Sequence, residues 1–205
     1  MKNYFKFLSA VALAVLIALP AVAGASGSYS TVNKSIQLGD NVTTGDVDSV
    51  NGSIRIGHNS FVESVESVNG SIKLANDVTV ERSVGAVNGA ITLQPGCEVG
   101  GRIETVNGGI KMENSKVAGD VETVNGQLRI LNGSEVSGNV VVRESKGWSM
   151  NKRRKPVRVE IGQDVVVHGD LIFESAVELK LHETANVGEI IGEEVKMVGS
   201  SAKAR

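Results

Sequence analysis

Three observations predict an all-β fold, a single-chain parallel β-helix (β-solenoid) of about nine coils of 18–19 residues. The motif "SVNGSI" at residues 49–54 recurs at residues 67–72, then returns as "AVNGAI", "TVNGGI" and "TVNGQL". The valine of the motif falls at Val32, Val50, Val68, Val87, Val106 and Val124, in steps of 18, 18, 19, 19 and 18. Composition agrees: Val and Ile dominate the apolar set, Gly numbers 24 and aromatics make up 3%, a mixture suited to strands and tight turns.

The chain opens with Lys2 and Lys6, an apolar run over residues 7–19, then Pro20 and the small residues Ala21, Val22 and Ala23. That order predicts a secretory signal peptide over residues 1–23, cut after Ala23. The alternative is an uncleaved membrane anchor, for which the run is short against a span of roughly 20 residues. The expected location is outside the cytoplasm, periplasmic or cell-surface/secreted. A polar segment, residues 24–31, follows.

Formal charge is −2 for the whole chain, and losing the two lysines of the signal segment takes it to 19 − 23 = −4. A mildly acidic chain is not built to coat nucleic acid, so no nucleic-acid partner is expected. Cys97 is the single cysteine, so no internal disulfide forms even in an oxidising compartment. Beside Pro95 and Gly96 it reads as a small buried corner residue.

Within residues 32–142 each unit carries the same apolar columns. An alternating pair follows each motif valine: Ile36/Leu38, Ile54/Ile56, Ile72/Leu74, Ile91/Leu93, Ile110/Met112 and Leu128/Ile130. Val47, Val65, Val84, Ile103 and Val121 stand three residues before the valine, and a looser column runs through Val42, Val62, Val78, Val99, Val117 and Val136. Such a unit is too short for a strand–helix pair with its connections. It fits one solenoid coil, whose inward side chains are buried only when neighbours stack on it. A β-sandwich of hairpins is the competing reading, since Asn-Gly also makes hairpin turns; identical, evenly spaced units count against it.

The Asn-Gly pair is expected at a sharp corner, because Asn tolerates the left-handed conformation and Gly adopts it freely. In register, Asn33, Asn51, Asn69, Asn88, Asn107 and Asn125 would form a structural ladder of hydrogen-bonded amides. Gly52, Gly70, Gly89, Gly108 and Gly126 would be the corner glycines.

After Val142 the expected corner is replaced by a 16-residue stretch, residues 143–158, "RESKGWSMNKRRKPVR". The apolar pairs then resume as Val159/Ile161, Val177/Leu179 and Val195/Met197, so residues 159–198 continue the coils before the polar tail 199–205. The nine pairs make a rod of about 40 Å at strand spacing. The basic insertion holds Trp148 and the run Lys152, Arg153, Arg154 and Lys155. It reads as a solvated loop or hairpin, or as a contact for an anionic membrane surface or envelope glycan.

Neither terminal segment is periodic enough for a capping helix, so the end coils are expected to expose strand edges that invite end-to-end pairing with a second copy. Glu193, Glu194 and Lys196 would oppose that by charging the last coil. Catalytic, cofactor-binding and metal-binding residues are not identified: His58, His168 and His182 lack partners at metal-ligand spacing, and no helix follows the glycine pairs to make a phosphate loop. Acids at corners, Asp46, Asp120, Asp170 and Glu189, fit turn preferences, and their column is interrupted by Arg102 and Asn139. A non-enzymatic structural or adhesive rod is expected; a surface-binding module is the alternative, and a carbohydrate-active enzyme the most distant one.

The repeats "VNGSIRI", "VNGSIKL" and "VNGGIKM" resemble the β-strand repeats of the DUF4097-type bacterial adhesin family. The stretch "GQDVVVHGDLIFESAVELKLHETANVGEI" resembles the coils of bactofilins, the polymer-forming bacterial cytoskeletal family. Together the two cover nearly the whole chain after the signal segment. The bactofilin likeness implies a right-handed, triangular β-helix that polymerises end to end without nucleotide. The signal segment departs from that family, whose members act in the cytoplasm; the adhesin likeness fits export.

Overall fold

The three-dimensional structure is a computed structural model and describes residues 27–145 and 155–199. All regular elements among these residues are strands, gathered into three parallel sheets. Sheets 1 and 2 have nine strands each and sheet 3 has seven, so the solenoid completes about eight turns. One coil shows the plan. Val47–Asn51 lies in sheet 1, Ile54–Ile56 in sheet 2 and Phe61–Val62 in sheet 3, after which Val65–Asn69 stacks on Val47–Asn51.

Equivalent residues pair across coils: Val47 with Val65, Ile54 with Ile72, Val62 with Val80. This register stacks like on like along the whole rod. Side chains alternate across a strand, so every second residue points inward. The column Val47, Val65, Val84, Ile103, Val121, Val140 and Leu171 is fully buried, as are Ile54, Ile72, Ile91 and Leu128 in sheet 2. Each such side chain removed from water contributes about 1.5–3 kcal/mol.

Two sequence expectations change in detail, and the motif valines take a place that the sequence did not assign. The motif valines are not core residues. Val32 and Val106 are 40% and 39% exposed, and Val50, Val68, Val87 and Val124 are half-buried on the outer face of sheet 1. The inward places beside them belong to Ser49, Ser67, Ala86, Thr105 and Thr123. The Ser and Thr hydroxyls among them find acceptors at the corner of the preceding coil. Thr105 Oγ1 donates to the Gly89 carbonyl at 3.1 Å and Ser67 Oγ to Gly52 at 3.3 Å.

The looser column also splits in two. Thr44, Val62, Val80, Val99, Val117 and Val136 stack in sheet 3, whereas Val42 and Val78 lie outside those strands, at the turn that precedes them.

The Asn-Gly corner bends without any left-handed residue. Positive φ occurs instead at the next corner, at Asn41, Asn59, Asp77, Gly96 and Asn114. Glycine is required at the Asn-Gly corner for another reason: a Cβ on Gly70, Gly89, Gly108 or Gly126 would lie against the carbonyl oxygen of the corner glycine one coil before it. The coils approach too closely for any side chain.

After Val140–Val142 the next solenoid strand is Val157–Ile161, so the last two residues of the basic stretch are already strand. Val159 pairs with Leu128, which restores the core register.

Candidate functional surface

The amide ladder forms along the Asn-Gly corner. Each Asn donates from Nδ2 to Oδ1 of the Asn one coil earlier, from Asn51→Asn33 at 3.0 Å through Asn69, Asn88 and Asn107 to Asn125→Asn107 at 3.1 Å. All six are exposed. Their amide groups are largely used within the ladder, so its role is to lock coil to coil. A second ladder runs beside sheet 1, where the Asp120, Asn139 and Asp170 side chains accept the backbone N–H of Asn139, Asp170 and Glu189.

On either side of the Asn-Gly corner the outer faces carry opposite charge. On sheet 1 the outward column reads Asp48, Glu66, Gly85, Glu104, Glu122. On sheet 2 it reads Arg55, Lys73, Thr92, Lys111, Arg129. The columns correspond coil for coil at a constant offset of seven residues, and the neutral Gly85 shares a coil with the neutral Thr92. The pattern ends at the insertion, where Val141 follows Glu122 and Glu160 follows Arg129. Sequence reading missed both columns, because each charge is one residue in 18 or 19; the seven-residue offset was the available signal.

Next to each charged column lies a second one. The valines Val50, Val68, Val87, Val106 and Val124 stand between the acids and the corner, and Ser53, Ser71, Ala90, Gly109 and Gln127 stand between the corner and the cations. The sheet 1 face is thus acidic and apolar, and the sheet 2 face is cationic over a mostly small-residue shelf.

Electrostatics follow from the stacking. Burial, reinforced by the neighbouring Glu66 and Asp46 carboxylates and opposed by Arg82, pushes Asp48 up to about 6. Glu66 is raised by burial and by Asp46, and Glu104 by burial against the pull of Arg102. Part of the acidic face is paired within the chain: Arg102 with Glu104 at 2.9 Å, Arg143 with Glu122 at 2.9 Å, and Arg82 with Asp46 and Glu63. On the cationic face Lys111 pairs with Glu113 at 3.2 Å and Arg129 with Glu160 at 2.9 Å. Asp48, Glu66, Arg55 and Lys73 make no ion pair among the described residues. All four sit in the same two coils.

Trp148, Lys152, Arg153 and Arg154 lie outside the described residues; Lys155 is described and exposed. Cys97 is buried at a corner, its thiol within 3.0 Å of the Ala75 carbonyl, and burial raises its pKa. Two histidines take local partners, His168 with Glu135 at 2.8 Å and His182 with Thr184 at 3.0 Å. Among the described residues no three acids, histidines or cysteines converge as a metal site, and no helix is long and apolar enough to cross a membrane. No protein-family profile, curated protein or solved structure matches the chain.

Proposed function

We propose that the protein is a non-enzymatic structural or adhesive rod of the bacterial cell envelope, exported by its N-terminal segment, which self-assembles end to end. The observation that carries this reading is the last described coil. Its strands Ile190–Ile191 and Val195–Met197 close sheets 1 and 2, so among the described residues each pairs on one side only. Met197, which continues the inward column after Leu179, is 46% exposed there, an apolar strand edge of the kind that recruits another strand. At the other end Tyr29–Thr31 and Ile36–Gln37 offer matching parallel edges. The likeness to adhesin repeats and to bactofilin coils favours the same reading, as does a core that repeats without interruption along the rod.

Electron microscopy and light scattering of the purified protein test it. Filaments one solenoid wide are expected, shortened or lost when Met197→Lys charges the terminal edge. A parent protein that stays monomeric at high concentration would defeat the reading. Export is checked separately by the mass of the protein recovered from the envelope, which should begin at Gly24.

A further inference from the structure

We propose that the protein also associates side by side, sheet 1 of one copy against sheet 2 of the next, with rods parallel and coils in register. This contact is lateral and stands whether or not the rods join end to end.

In a parallel sheet with like on like, equal charges lie one strand spacing apart, ~4.8 Å, and such neighbours repel. The protein carries two such columns on adjacent faces, Asp48 with Glu66 and Arg55 with Lys73, none of them ion-paired among the described residues. Within one rod they cannot relieve each other, because the convex Asn-Gly corner separates them. A second copy can bring them together.

Polarity then follows from the order of the columns. Along the chain sheet 1 presents acid then valine, and sheet 2 presents small residue then cation. Laying sheet 2 of one copy on sheet 1 of another reverses the across-face order when the rods are parallel. Each acid then meets a cation, and each valine meets the small-residue column. Antiparallel rods would set cations on valines instead. Axial register is marked by the neutral coil: only zero offset places Gly85 opposite Thr92 while every acid from Asp48 to Glu122 meets a cation. The contact joins two different faces, so it repeats from copy to copy and either closes a ring or extends as a sheet of rods.

Charge reversal tests this directly. Over the first two charged coils, Arg55→Glu with Lys73→Glu makes both faces acidic, and Asp48→Lys with Glu66→Lys makes both cationic. Sedimentation at low ionic strength should show lateral assembly of the parent, weakened about tenfold or more in each variant alone and restored when the two are mixed. Added salt should disperse the parent assembly. A short bismaleimide should link Glu66→Cys in one chain to Lys73→Cys in another; linkage to Arg129→Cys instead would overturn the register. Met197→Lys, in the inward column at the rod end, should leave the lateral contact intact, which separates it from end-to-end growth. Should a reversed variant lose the parent's cooperative melt, Arg55→Gln with Lys73→Gln serves in its place. The proposal fails if the parent does not associate laterally, or if mixing restores nothing. It also fails if the cation variants lose only binding to phosphatidylglycerol vesicles, since the cationic face would then serve an anionic surface.

Discussion

At the scale of single residues, glycine serves two different purposes in this rod, and substitution separates them. Gly89 has no left-handed backbone, yet a Cβ there would run into the Gly70 carbonyl. Gly89→Ala should therefore lower stability by about 2 kcal/mol or more, since neither backbone can retreat without breaking the stack. Asn59 shows the opposite case, with φ of 51° and an exposed side chain. Asn59→Gly should be nearly neutral, whereas Asn59→Val should cost about 1–2 kcal/mol through left-handed strain. Urea unfolding measures all three, and a neutral Gly89→Ala would refute the close-approach account. The ladder gives a third residue-scale expectation. Asn88 donates to Asn69 at 2.8 Å and accepts from Asn107 at 2.9 Å. Asn88→Asp loses the donor and keeps the acceptor, so it should cost about 1 kcal/mol, and more than Asn33→Asp, whose single ladder bond is one it accepts.

At the scale of elements, the stacked outer column of sheet 1 makes stability depend on pH. Asp48 is pushed up to about 6 and Glu66 is raised as well, so the folded coils bind more protons than the unfolded chain between its ordinary carboxylate range and about pH 6. Stability from these groups is present below that window and lost as pH rises through it. Glu160 acts in the other direction: the Lys180 and Arg129 bonds lower its pKa, so its contribution fades only in stronger acid. The melting temperature should rise between pH 7 and pH 5, and Asp48→Asn should raise it at pH 7 while flattening that rise. A parent melting temperature that falls over this interval would contradict the column's role. The same columns mark how much of the protein was legible in its sequence. The coil period, the inward columns and the Asn ladder were readable because the core and the corner accept few residue types, and these recur at every turn. The left-handed corner was harder, since Asn41, Asn59, Asp77, Gly96 and Asn114 share a conformation rather than a letter. The charged faces were missed because each charge is one residue in 18 or 19, although their seven-residue offset, Asp48 to Arg55 and Glu66 to Lys73, was there to be read. The basic segment around Trp148 was conspicuous in composition, and position along a chain says nothing of what such a segment touches.

At the scale of the whole molecule, the rod is a one-dimensional stack, and its stability should be a sum over coils and their interfaces. Removing one complete coil must then preserve the fold. Excising residues 84–102 joins Ser83 to Ile103 and lets Ile103 take the place of Val84 on Val65, the same register one coil shorter. Excising residues 84–93 instead removes only the sheet 1 and sheet 2 strands of that coil, so the next turn meets the wrong face and the rod should not fold. Charge makes the whole-coil experiment sharper. The coil over residues 84–102 is the neutral one, holding Gly85 and Thr92; without it Glu66 stacks directly on Glu104 and Lys73 on Lys111. Excising residues 47–64 removes a charged coil and leaves the neutral spacer in place. Both shortened rods should retain strand circular dichroism and a cooperative melt below the parent's. The rod lacking the neutral coil should melt lower at pH 7 and low salt, and the gap should narrow as salt screens the columns. A gap that ignores salt would mean that the neutral coil contributes through packing alone, and that Gly85 and Thr92 do not serve to divide two runs of like charge.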